Sequence, residues 1–134
     1  MKNVFYALTF MLLMFSCTSD DDNQNTEATL NGSWHLVNIS GGLVGVNDDF
    51  DTGLITWIFN ENNLELTVIN TNTTDVIFDG LASGTYNYQP LTTTGENTDI
   101  VVDFFSFRIT TLTTVQLILD EGIAADGFLL TFSR

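Results

Sequence analysis

The chain has 134 residues, with 17 Asp and Glu against 3 Lys and Arg, a formal net charge of −14, and 44% hydrophobic residues. Binding to phosphate needs clustered Lys and Arg, so nucleic acid is excluded as a partner, as is adhesion to anionic headgroups through a basic patch. The single cysteine, Cys17, excludes an intrachain disulfide, and stability has to come from packing.

The chain opens with Lys2, an apolar run from Val4 to Phe15, and Ser16-Cys17. A cationic residue, roughly 7 to 15 apolar residues and a small residue before the cut are the parts of a secretory signal. A spanning helix would need about 20 apolar residues. Met14-Phe15-Ser16-Cys17 resembles the bacterial lipobox, in which the cysteine is lipid-modified and becomes the new N-terminus. The resemblance implies a signal peptide at 1–16, lipidation of Cys17 and anchoring in the cell outer membrane. The alternative is an ordinary signal-peptidase cut that leaves a free thiol. The polar stretch Thr18 to Thr29 has no hydrophobic periodicity and cannot order itself. Residues 17–29 then form an acidic tether, holding the domain about 20 Å from the lipid as a flexible coil. Ser19-Asp20-Asp21-Asp22 resembles the acidic signal that sends some outer-membrane lipoproteins to the cell surface, and reads equally as a solvated spacer.

Residues 30–134 read as a single domain of short strands. Trp34 to Ile39 is the first, ended by Gly41-Gly42. Leu54 to Asn60 alternates, with Ile55, Trp57 and Phe59 on one face, and a turn at Glu61-Asn62-Asn63 leads into Leu64 to Val68, where Leu64, Leu66 and Val68 share a face. Val76-Ile77-Phe78 is a short strand, and Gly84 to Gln89 another, closed by Pro90, which cannot donate to a ladder. Thr92 to Asn97 is a polar connection. Ile100 to Phe104 follows, a turn or bulge is expected at Phe105-Ser106, and Phe107 to Ile109, Val115 to Leu119 and Phe128 to Phe132 complete the set. About eight short strands joined by Asn, Asp, Gly and Thr turns suggest an all-β antiparallel barrel or sandwich.

Leu30-Asn31-Gly32-Ser33-Trp34 resembles the opening strand of lipocalin-like domains, where a Gly-x-Trp enters the barrel and the tryptophan plugs its closed end. Ile55 to Asn60, Ser83 to Tyr86, Arg108-Ile109, and Leu117 with Leu119 are similar to segments of short lipocalin-like lipoproteins of Gram-negative outer membranes. The resemblance implies a small antiparallel lipocalin-like β-barrel of about eight strands. Such an interior is just wide enough to be filled by side chains or to hold one small ligand. If it holds one, Trp57, Phe59, Tyr86 and Tyr88 are the expected lining, though ordinary core is the alternative for all four.

Reactive chemistry is sparse. His35, the only histidine, sits beside Trp34 and points away from the expected core, so a Ser-His-Asp arrangement has no base and a histidine-rich metal site is excluded. Asp48, Asp49 and Asp51 are weak candidates for a Ca²⁺ site, against an acidic solvated turn. Asp103 lies in an apolar stretch, and a buried carboxylate needs a partner. Arg108 is the only internal cation, so an Asp103–Arg108 structural ion pair is expected, given a turn or bulge near Ser106. No cofactor is expected. The preferred reading is a lipid-anchored, non-enzymatic envelope protein that binds a small apolar ligand. The alternative is an acidic accessory lipoprotein with a filled barrel and a protein or glycan partner.

Overall fold

The computed structural model describes residues 27–92 and 98–134, so the signal at 1–16, Cys17 and most of the tether lie outside the described residues. Nine strands run in chain order: β1 (Gly32–Gly41), β2 (Val46–Asp49), β3 (Ile55–Asn60), β4 (Glu65–Asn70), β5 (Gly84–Thr92), β6 (Thr98–Val102), β7 (Phe105–Leu112), β8 (Gln116–Asp120) and β9 (Phe128–Ser133). Every pairing is antiparallel. The order β1-β3-β4-β5-β6-β7-β8-β9, with β9 pairing back to β1, closes eight of them into a barrel. Between barrel and sandwich, the fold is the barrel, with free edges left at β2 and where β5 runs on past β4.

Strand β1 serves two neighbours on one edge. Its first half, Gly32 to His35, pairs with β3, and its second half, Asn38 to Gly41, pairs with β2. Along the other edge β9 runs from His35 to Gly41 and makes the closing seam. Bulges in two strands set the interior. One falls between Leu36 and Asn38, the other between Ile109 and Thr111. An extra residue reverses the side-chain alternation. Leu36 and Ile39 are therefore both buried, and Ile109 and Leu112 both face inward, although each pair is an odd number of residues apart.

The interior is full at mid-height. Trp57 occupies the centre, with ring centroids 5.1 Å from Phe132, 5.7 Å from Phe107 and 6.2 Å from Phe59. Phe59 meets Tyr88 edge-on at 5.3 Å. These tilted and T-shaped geometries are those aromatic quadrupoles favour. Trp34, Trp57, Phe107, Phe132, Leu117 and Leu119 have no exposed surface.

The upper end, where β1 finishes, is covered by residues 71–83. Asn and Ser side chains hold this irregular segment. Asn72 Nδ2 donates to Asp79 Oδ2 at 3.1 Å, its Oδ1 accepts from the Thr74 amide at 3.0 Å, and Ser83 Oγ accepts from the Asn70 amide at 2.8 Å. Such side-chain-to-backbone bonds compete with a ladder. The expected strand Val76 to Phe78 is accordingly absent; Phe78 instead stacks on Phe128 at 4.5 Å and Leu81 is buried. Gly80 takes a φ of 86°, and a Cβ there would lie 3.6 Å from Trp57 Cζ2, so the backbone rests against the central ring.

At the lower end, Trp34 Nε1 donates to the Leu30 carbonyl at 2.8 Å. The Arg134 guanidinium lies 3.8 Å over the Trp34 ring and donates to the carbonyls of Asn31 (2.7 Å) and Thr29 (3.3 Å). These bonds and the cation–π contact fix the segment that leads into β1.

Three local expectations need correction. The acidic stretch after Gly45 contains β2, a strand, where only a turn was expected. Leu64 is outside the core: Asn60 pairs with Glu65, so Glu61 to Leu64 form a four-residue turn whose last residue adopts a φ of 54°. Pro90 does not end its strand but pairs with Ile100 inside β5. Its partner β4 has already stopped, and the last bond on that side runs from the Tyr88 amide to the Leu64 carbonyl at 2.9 Å. Residues 88 and 90 direct their nitrogens to the same side, so the missing N–H falls where no strand waits for it.

Candidate functional site: a cleft at the lower end

Where β4 falls short of β5, the wall parts. The opening is a cleft of about 710 Å³. Its apolar lining is Leu30 from the segment before β1, Leu64 from the β3–β4 turn, Pro90 and Ile100 from β5 and β6, and Ile109 and Leu112 from β7. Five of these six have a local cause. Leu64 is turned out of the core by its left-handed backbone, Pro90 marks the unpaired length of β5, and the β7 bulge brings Ile109 and Leu112 to the same side. Leu30 is held by the bond from Trp34. The volume falls in the range of small-molecule sites, and the walls are polar and apolar in about equal parts.

Tyr88 also lines the cleft and is 2% exposed, yet its phenol oxygen has no hydrogen-bond partner among the described residues. Burial, and to a smaller degree the Glu61 carboxylate, raise its pKa above the usual tyrosine value. The phenol therefore stays protonated at neutral pH. A buried unpaired hydroxyl is costly, and native proteins carry few of them. Besides apolar groups the cleft offers the carboxylates of Glu27 and Glu61 and the hydroxyls of Thr29, Thr98, Thr110 and Thr111.

The residues expected to line a ligand site are divided by the structure. Tyr88 alone borders the cleft. Trp57 and Phe59 are packed in the filled interior, and Tyr86, half-buried, donates its hydroxyl to the Ala82 carbonyl at 2.8 Å. The Gly-x-Trp resemblance implied that the Trp34 end is the closed one. Here residues 71–83 cover the opposite end, and the cleft opens where β1 begins.

The Asp103–Arg108 pair does not form. Val102 pairs with Phe105, so Asp103 and Phe104 are a two-residue turn; Asp103 is exposed, with a φ of 51°. The same register sets Asp99 directly opposite Arg108, and these two make the ion pair, at 3.4 Å. Arg108 is 56% exposed in that pair, which makes it a minor contributor to stability. Asp48 and Asp49 stand on β2, opposite Ile39 and Asn38, and Asp49 Oδ1 accepts from Asn38 Nδ2 at 2.8 Å, while Asp51 lies exposed beyond the strand. Among the described residues no group of three His, Cys, Asp or Glu side chains is placed to hold a metal ion. His35 is half-buried, with Nδ1 3.0 Å from Thr56 Oγ1.

The fold is an all-β, closed antiparallel barrel of eight strands with a lipocalin-like architecture. Comparison with protein-family models and with curated proteins gave no match. Among solved structures the chain is similar to a lipocalin-like protein from Bacteroides uniformis ATCC 8492, at 17% identity and a TM-score of 0.51, over 78% of this chain and 97% of that one. At this identity the likeness concerns the fold.

Proposed function

We propose that this chain is a lipid-anchored, non-enzymatic lipoprotein of the bacterial cell envelope that binds a small, mostly apolar ligand in the lower-end cleft. The observation that carries this reading is the cleft of about 710 Å³, whose apolar residues lie beside Tyr88, a buried phenol with no hydrogen-bond partner among the described residues. The lipocalin-like fold is consistent with it, though a barrel hosts many functions and the site has to supply the argument. The anchor rests on Cys17 behind its apolar run and ahead of an acidic tether. A non-enzymatic role is supported by the sole histidine, which lies against Thr56 away from the cleft.

One observation favours the second reading, an accessory lipoprotein that meets a protein or glycan with its acidic loops. The barrel centre around Trp57 is filled, so no ligand is accommodated there. The two separate by experiment. Lipoprotein purified from membranes is extracted with organic solvent, and the extract is compared by mass spectrometry with one from the Tyr88→Trp, Ile109→Trp variant, whose cleft is obstructed. A molecule present in the first and missing from the second supports ligand carriage. Identical extracts, with the variant still folded, favour the accessory role. The anchor is tested by labelling with radioactive palmitate, which Cys17→Ser should abolish.

A further inference from the structure

Resting on the ligand-binding reading, we propose that the cleft selects amphiphiles whose head is neutral or cationic and hydrogen-bonding, and rejects carboxylate-headed molecules of the same chain length. Among the described residues the charged groups bordering the cleft are Glu27 and Glu61, and the other polar side chains are Tyr88, Thr29, Thr98, Thr110 and Thr111. Neither guanidinium serves it. Arg108 is paired with Asp99, and Arg134 is spent on the Trp34 face and on the carbonyls of Thr29 and Asn31.

A carboxylate seated among these residues would meet two like charges and no cation, a repulsion strengthened where water is partly excluded. An ammonium would meet two opposite charges in the same place. A neutral hydroxyl, ether or amide head would meet Tyr88, whose protonated phenol has a proton to donate and a lone pair to accept with. The Tyr88 oxygen is itself closed off, so such a head reaches it only as the lining moves aside, and the buried hydroxyl then gains the partner that it lacks among the described residues.

The test uses the mature chain with Cys17→Ser, which leaves all described residues unchanged, titrated calorimetrically at neutral pH with dodecan-1-ol, dodecylammonium and dodecanoate, each below its aggregation threshold. Dodecanol and dodecylammonium are expected to bind at least about tenfold more tightly than dodecanoate. The Glu27→Gln, Glu61→Gln double variant should shrink the gap between dodecylammonium and dodecanoate several-fold, and Tyr88→Phe should weaken dodecanol. A dodecylammonium advantage untouched by the double variant would belong to the acidic surface as a whole and would overturn the proposal. Dodecanoate binding as tightly as dodecanol would overturn the head-group selection and leave the ligand-binding reading standing, whereas no binding by any of the three would end both.

Discussion

Replacing Trp57 by alanine should destabilise the barrel by about 4 kcal/mol. The side chain is fully buried, touching Phe59, Phe107 and Phe132 and bearing the backbone at Gly80 on its edge. A buried tryptophan removes about 200 Å² from water, worth about 5 kcal/mol at about 25 cal/mol per Å². The Nε1 proton, buried without a partner among the described residues, already costs the native state something on the order of 1 kcal/mol, which the substitution returns. The balance agrees with the roughly 3 to 5 kcal/mol usual for large aromatic truncations. For a domain of about 100 residues it corresponds to a fall in Tm of roughly 20 °C. Trp57→Phe keeps most of the packed ring and removes the unpaired donor, so its cost should stay below about 1.5 kcal/mol. Thermal melts of both variants followed by far-ultraviolet circular dichroism would measure the difference. Equal losses for the two variants, or a loss under about 1 kcal/mol for Trp57→Ala, would refute the filled centre.

Gly41 and Gly45 both have positive φ, 116° and 70°, but a Cβ on Gly41 would lie 2.6 Å from the Gly127 carbonyl oxygen at the closing seam, whereas one on Gly45 meets nothing within 4 Å. In denaturant melts Gly45→Ala should cost about 1 kcal/mol from backbone strain alone, and Gly41→Ala about 3 kcal/mol or more. Asp103→Asn should leave Tm unchanged, because asparagine accepts the left-handed turn as readily and Asp103 has no ion-pair partner among the described residues; a fall of several degrees would restore a structural role for this carboxylate. The raised pKa of Tyr88 means that above about pH 10 the unfolded chain loses this proton before the folded one does. Its contribution to stability is complete below pH 10 and declines as pH rises through the folded value. Alkaline melts should therefore show a steeper loss in the parent than in Tyr88→Phe.

The barrel was legible in the sequence because alternation is a local signal. Ile55, Trp57 and Phe59 announce a buried face within five residues, and the structure buries all three. What escaped depends on register and on strand length. β2 reads Val-Asn-Asp-Asp, a composition that suggests a turn, and is a strand only because β1 runs on past β3 and offers it an edge. Asp103 reads as strand because five apolar residues surround it, yet the pairing of Val102 with Phe105 turns the chain at that point. The site was the least legible part. Tyr88 was named among its lining, but Leu30, Leu64, Ile109 and Leu112 converge through a left-handed turn, a bulge and a strand that ends early. Pro90 carried the one available hint. A proline after six residues of good strand marks either the end of an element or an edge, and the second possibility is the one that opens the cleft.

The most direct measurement is a methyl NMR titration of the mature Cys17→Ser chain with dodecan-1-ol. Binding in the cleft predicts saturable shifts at Leu30, Leu64, Ile109 and Leu112, with Ile55, Leu66 and Leu117 unmoved in the filled interior. Shifts concentrated on Ile55, Leu66 and Leu117, or no saturable shift at the four cleft residues, would contradict a ligand site at the lower end of the barrel.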